Sequence, residues 1–170
     1  MRISGNITVK GKELQIDPKQ SFGFLERQWG QMELRNWYLY WLYLSNGIFL
    51  HAWINEPTLG GIDPNEIAVV TIWHPNGAHE VLPVDTTSRA WDPERNERTG
   101  KLYFNEFELN LSTRNASLRV TKFARDALLH PIADYPGMLN VSEAYAQGQG
   151  TWEGEPVEIF GHVEQTSTLV

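Results

Sequence analysis

Hydrophobic and polar residues alternate with a period near two along much of the chain, and short clusters of Gly, Asn, Asp and Pro interrupt the alternation. Period two predicts β-strands, because successive side chains of a strand point to opposite faces. The densest apolar stretch is 37–54, where two aromatic-rich runs flank Asn46-Gly47. Asn-Gly between such runs predicts a hairpin with a two-residue type I′ turn. That turn sets Ser45 opposite Ile48, Leu44 opposite Phe49, Leu42 opposite His51 and Tyr40 opposite Trp53. One face then carries Tyr38, Tyr40, Leu42, Leu44, Phe49, His51 and Trp53. The other carries Trp37, Leu39, Trp41, Tyr43, Ile48, Leu50, Ala52 and Ile54. Neither face is polar, so a core is expected on one side and a loop, domain, partner or ligand on the other.

The same reading gives an opening hairpin from 6–10 and 13–17, a strand at 67–73 buried on both faces, and a short strand at 79–84. Residues 102–111 alternate, with Tyr103, Asn105, Phe107, Leu109 and Leu111 on one side. They turn at 112–115 into a strand at 117–124. Two last strands, 141–152 and 157–164, join at Glu153-Gly154-Glu155-Pro156. Residues 85–101 gather charges around a lone Trp91 and read as a loop, with Trp91 favouring a lid. Residues 126–140, with Pro131, Pro136 and Gly137, also read as a loop. The count is roughly nine to eleven strands, with no amphipathic helix and no repeat. The expectation is an all-β single domain over 1–170, an antiparallel β-barrel, since closure removes exposed edges.

Composition narrows the function. Lys plus Arg total 14 against 21 Asp plus Glu, a net charge of −7, which lacks the basic footprint of a nucleic-acid binder. No apolar run reaches the length of a membrane span, so no membrane insertion is expected. The N-terminal residues lack a secretory signal's apolar stretch, and the chain reads as soluble. Sequons at Asn6, Asn110, Asn115 and Asn140 keep a secreted precursor open. With no cysteine there is no thiolate nucleophile. There is no Gly-rich phosphate loop, Gly-X-Ser-X-Gly elbow or His-Glu-X-X-His helix, so no cofactor and no metal is expected.

Candidate chemistry sits on a few side chains. His51 is either a core histidine bonded to a neighbour or a donor in a ligand cavity. Aromatic residues here are either plain core or the wall of a cavity for an extended unsaturated ligand, whose developing positive charge such rings stabilise. The ligand-binding candidates are Tyr38, Tyr40, Phe49, Trp53, Trp73 and Trp152; the catalytic candidates are Glu26 and His51. Glu26 has its pKa raised if desolvated or lowered if paired with Arg27. Arg27 and Trp29 read as a structural plug closing one end of the barrel. A second copy or partner domain is expected to cover the face bearing Trp41, Tyr43 and Leu50.

Gly23-Phe24-Leu25-Glu26-Arg27-Gln28-Trp29-Gly30, followed by Trp37 and a hairpin turning at Gly47, resembles the lipocalin-like family of carotenoid 1,2-hydratases (hydroxyneurosporene synthases), AttH-like proteins, kievitone hydratase and fungal lipocalin-like Diels-Alderases. Thr151-Trp152-Glu153-Gly154, with Val157, Gly161 and Val163-Glu164-Gln165-Thr166, is similar to the family's Trp-Glu-Gly strand and closing strand. Leu39 stands where many members carry a second Trp. Members have two barrel-like halves, and this chain matches the C-terminal one. The resemblance implies a lipocalin-like β-barrel and an enzyme of secondary metabolism that hydrates or cyclises a polyunsaturated apolar substrate without a redox cofactor. Glu26 would protonate the alkene for hydration, whereas cyclisation needs chiefly a cavity that holds the reacting ends together. The alternatives are a non-catalytic carrier of an apolar ligand, an interaction domain, and one half of a two-domain enzyme that needs its partner half.

Overall fold

The computed structural model describes residues 3–19, 21–23, 25, 36–55, 57, 59–97, 100–125, 127 and 141–166. The chain divides into two compact units, residues 1–33 and 34–170. In the first, β1 (Gly5–Val9) and β2 (Lys12–Ile16) form an antiparallel hairpin that sets Ile7 opposite Leu14.

The second unit is a nine-stranded antiparallel sheet, so the all-β reading holds. Its strands are β3 (Trp37–Leu44), β4 (Phe49–Asn55), β5 (Ala68–Trp73), β6 (His79–Pro83), β7 (Arg89–Arg95), β8 (Leu102–Leu111), β9 (Ala116–Lys122), β10 (Val141–Trp152) and β11 (Glu155–Thr166), in the order β6-β5-β4-β3-β11-β10-β9-β8-β7. The sheet curls around one interior. Three strands separate β3 from β8, yet Tyr38 meets Phe104 and Phe107 edge to face at 6.1 and 6.0 Å, and Tyr40 meets Phe107 at 5.8 Å. Leu42, Leu50, Val70, Ile72, Phe107, Leu111 and Val163 are fully buried in that interior.

Closure is made by side chains and loops rather than by a ladder. Among the described residues β6 and β7 share no pairing. Instead the β6–β7 connection is laid along the end of β8: Asp85 N–H donates to Asn110 O at 3.0 Å, and Ser112 N–H and Oγ–H donate to the Asp85 carboxylate at 2.6 and 3.0 Å. Asn110 N–H donates to Ser88 Oγ at 2.8 Å, and Ala90 N–H to Gly60 O at 2.7 Å. On β6, Glu80 accepts from both His74 Nε2 at 2.9 Å and Arg114 at the β8–β9 turn. These bonds satisfy edge groups that a ladder would otherwise pair.

The β3–β4 register differs from the expected one by one residue. Leu44 N–H donates to Ile48 O, Gly47 N–H donates to Leu44 O, and Gly47 takes φ 89°. Asn46 is not among the positive-φ residues, so the turn is type I with Gly47 as a left-handed bulge residue rather than type I′. Asn46 Oδ1 accepts from Ile48 N–H at 3.2 Å, which holds that three-residue loop. Trp41 therefore pairs with His51, Leu42 with Leu50 and Tyr40 with Ala52. Leu42 and His51 lie on opposite faces, and Phe49, His51 and Trp53 move off the face that carries Tyr38 and Tyr40.

Two further expectations are corrected. β5 is buried on one face only, with Val70 and Ile72 inside and Val69 36% exposed, since Val69 stands on the sheet's outer face. The charged stretch 85–101 contains an edge strand, β7, in place of a loop or lid. Its charges are matched across strands: Arg89 pairs with Glu108 at 2.9 Å, and Arg125 with Asp92 and Glu94 at 2.7 and 2.8 Å. The guanidinium groups of Arg89 and Arg119 lie over the Trp91 ring, 5.2 and 4.6 Å from its centroid.

Gly161 marks where β11 presses closest on β3: a Cβ there would lie 1.9 Å from Trp41 O. Gly161→Ala should cost on the order of 3 kcal/mol, at the upper end of overpacking, read by denaturant melts. Hydrogen bonds from Arg114 and then His74 hold the Glu80 carboxyl below its ordinary 4.5. A lowered folded pKa stabilises above 4.5 and is lost as pH falls through the folded value. The stability difference between wild type and Glu80→Gln should therefore be largest near neutrality and shrink below pH 4.5 in melts across pH 7 to 3.

Candidate functional site

One end of the interior departs from the apolar rule. Tyr38 on β3 pairs with Gln165 on β11, which pairs with Ser142 on β10, so three polar side chains stand in one inward row. Lys122 on β9 reaches the row, its Nζ donating to Ser142 Oγ at 3.1 Å and to Arg125 O at 3.2 Å. Ser142 Oγ–H donates in turn to Ala127 O at 2.8 Å. Asn105 on β8 follows next in the register that pairs Glu106 with Thr121, which brings it beside Lys122. All five side chains are buried. Burying such groups is costly unless they are bonded, so a polar belt in an otherwise apolar interior needs a reason.

Part of the reason is structural. The Gln165 side-chain amide crosses the interior to β8, accepting from Phe104 N–H at 2.9 Å and donating to Phe104 O at 2.8 Å. It pinches this end of the curled sheet and satisfies a backbone unit opposite Pro93, which has no N–H to offer. Asn105 Nδ2 donates to the carbonyl of Asp92 at 2.9 Å, where the β7 backbone kinks at φ 57°.

Two polar atoms of the belt region are not used this way. The Tyr38 hydroxyl and Asn105 Oδ1 are buried without a hydrogen-bond partner. Burial pushes the Tyr38 phenol well above its ordinary 10.0; the nearby Gly60 main chain opposes the rise without completing a bond of normal geometry. Burial likewise raises Tyr40, and Tyr38 beside it adds to the effect. Tyr38 forms one wall of a narrow cleft, together with Asn36, Pro57, Leu102, Phe104, Gln165 and Thr166. The cleft thus offers rings and aliphatic groups on its sides, with amide and hydroxyl groups among them.

The residues singled out from the sequence divide between two faces. Tyr38 and Tyr40 face the interior at this end. Trp152 is also inside, but ten residues along β10 from Ser142, roughly 33 Å of extended strand away. Phe49, His51, Trp53 and Trp73 lie on the outer face. There Trp73, Phe49, Tyr43 and Phe160 form a row of rings with successive centroids 5.2, 4.5 and 5.3 Å apart. Trp41 is stacked between His51 at 5.4 Å and His162 at 5.1 Å. The expected patch of Trp41, Tyr43 and Leu50 does not exist as one surface: Leu50 is in the core, and Trp41 is only 6% exposed. Glu26, Arg27 and Trp29 lie outside the described residues.

Sequence reasoning missed Lys122, Ser142, Gln165 and Asn105 as site residues, although it placed Asn105 on the apolar side of 102–111. Inward polar positions of alternating strands are the signal that marks all four.

A curled antiparallel sheet packed around one interior and polar at one end is the architecture of a lipocalin-like protein. The chain is similar in structure to kievitone hydratase from Nectria haematococca, with TM-score 0.75 and 23% identity over 98% of this chain and 50% of that one. An AttH protein from Nitrosomonas europaea superposes with TM-score 0.64 and 17% identity, over 97% of this chain and 49% of that one. In sequence, the chain is 23% identical over 168 residues to the dehydratase asqC of Emericella nidulans, covering 95% of this chain and 46% of that protein. No family model matches. The chain therefore has the AttH and kievitone hydratase fold that its motifs resemble, and spans about half the length of these relatives.

Because its hydroxyl completes no hydrogen bond, Tyr38→Phe should leave the folding free energy within about 1 kcal/mol of wild type, or slightly higher, in denaturant melts.

Proposed function

We propose that the chain is half of a lipocalin-like hydratase or dehydratase that acts, without a redox cofactor, on an apolar unsaturated small molecule of secondary metabolism. The observation that carries this reading is the Tyr38 hydroxyl, buried and without a hydrogen-bond partner on a residue that lines a narrow cleft. A buried unpaired phenol costs stability, and a substrate oxygen would repay it. The relatives are named a dehydratase and a hydratase, which points to the same class of reaction.

In this reading the cleft binds the end of the substrate where water is added or lost. In hydration a proton goes to one alkene carbon and the hydroxyl of water to the other; dehydration reverses both. The raised pKa keeps the Tyr38 phenol neutral, so it serves as a hydrogen-bond donor to the hydroxyl oxygen rather than as a strong acid. His51, on the outer face of the sheet, takes no part in this reading.

Incubation with linalool in ¹⁸O-labelled water tests this. Loss of the hydroxyl as water followed by return of solvent water puts label into the alcohol, read by mass spectrometry. Exchange above the buffer rate should fall about tenfold or more in Tyr38→Phe with the melting curve kept. Exchange that is absent, or indifferent to Tyr38→Phe, contradicts the proposal.

A further inference from the structure

We infer that Gln165 is a positioning residue of the proposed site: on the reading that the substrate's oxygen binds at Tyr38, the Gln165 amide holds the Phe104 wall of the cleft so that the Tyr38 hydroxyl keeps its hydrogen for that oxygen. Gln165, Phe104 and Tyr38 all line the cleft, and Gln165 stands directly opposite Tyr38 in the β3–β11 register.

The grip falls on one residue. Gln165 is 1% exposed, and its Oε1 accepts from Phe104 N–H at 2.9 Å while its Nε2 donates to Phe104 O at 2.8 Å. An amide has an accepting end and a donating end, so it satisfies both main-chain groups of Phe104 at once and fixes where that residue's ring can reach. The ring has two neighbours that matter to the phenol. It meets Tyr38 edge to face, with centroids 6.1 Å apart and planes at 80°. It also abuts Gly60, where a Cβ would lie 3.7 Å from Phe104 Cε1. The Gly60 main chain is the group that the Tyr38 hydroxyl approaches without completing a bond.

Both sides of that incomplete bond are held. Ala90 N–H donates to Gly60 O at 2.7 Å, and the gripped Phe104 ring packs against Tyr38. Releasing Phe104 lets the Tyr38 ring move towards Gly60, and a phenol bonded there has no hydrogen left for a substrate oxygen. A purely structural Gln165, by contrast, would set the melting temperature and leave the Tyr38 hydroxyl as it is.

The test runs the linalool exchange assay in ¹⁸O-labelled water on Gln165→Met and Tyr38→Phe, singly and together, and records carbon spectra of the same chains labelled with ¹³C at tyrosine Cζ. Per folded molecule, exchange by Gln165→Met should fall about tenfold, since displacement of a reacting group by a fraction of an ångström already costs such a factor. Because Gln165 acts through Tyr38, the double variant should exchange within about twofold of Tyr38→Phe alone. The Tyr38 Cζ resonance, identified by its absence from Tyr38→Phe, should shift in Gln165→Met as the hydroxyl becomes bonded. Wild-type exchange by Gln165→Met, losses that multiply in the double variant, or an unmoved Tyr38 resonance would overturn the role of Gln165, while a loss in Tyr38→Phe keeps the site reading standing. If wild type exchanges no linalool, the site reading falls, and the Tyr38 resonance alone decides whether Gln165 holds the phenol. Should Gln165→Met not fold, Phe104→Leu, which removes the ring and leaves the main chain for Gln165 to bond, decides by the same readouts.

Discussion

The position of one bulge residue, Gly47, fixes the chemical identity of both faces of the central sheet. A type I turn followed by a left-handed glycine pairs Trp41 with His51, whereas a two-residue turn would pair Leu42 with it. Because side chains alternate, that single step sends Tyr38 and Tyr40 to the interior with Leu50 and Ile54, and sends His51, Phe49 and Trp53 outward with Trp41. The neighbouring strands inherit the choice through their own ladders. Gln165 faces inward because it pairs with Tyr38, and His162 faces outward to stack on Trp41 because it pairs with that residue.

The curled sheet then solves an edge problem without ladder closure. Asp85, Ser88, Asn110 and Ser112 stitch the β6–β7 connection to β8, and Glu80 with Arg114 ties β6 to the β8–β9 turn. At the other end Gln165 spans the interior to Phe104. The first set are bonds at the rim; Gln165 is a bond through the middle, and it lies in the polar belt where the cleft opens. Pinching this end brings Tyr38 and Phe104 together from strands that are far apart in the sheet, so the bond that holds the fold also shapes the cleft they line.

Much of this was legible in the sequence. Alternation located nearly every strand, and the alternation of 102–111 put Asn105 on the apolar side, where the structure buries it. Motifs at 23–30 and 151–166 indicated the lipocalin-like fold. Two things were not legible. Asn-Gly permits both a two-residue and a three-residue loop, and only the hydrogen bonds of Leu44 and Gly47 decide between them. The charged run around Trp91 looked like a loop because its partners, Glu108, Arg119 and Arg125, come from later segments that only the folded sheet brings alongside. The belt was hidden for the same reason: Gln165 finds Phe104 across 61 residues, a pairing that no local pattern encodes.

Two aromatic environments result, and the inner one includes the buried Tyr38 hydroxyl, which has no hydrogen-bond partner. The outer rings stack on one another and reach solvent, with Phe160 45% and Tyr145 78% exposed. The inner end combines a narrow cleft, an unpaired phenol and an unpaired amide oxygen. Titration of the ¹⁵N-labelled chain with carveol, followed by mapping of the amide shifts, separates the two faces most directly. The account predicts the largest changes at Tyr38, Phe104, Gln165 and Thr166, with Trp41, His51 and His162 unmoved; changes centred on the outer stack, with the inner end silent, would contradict it.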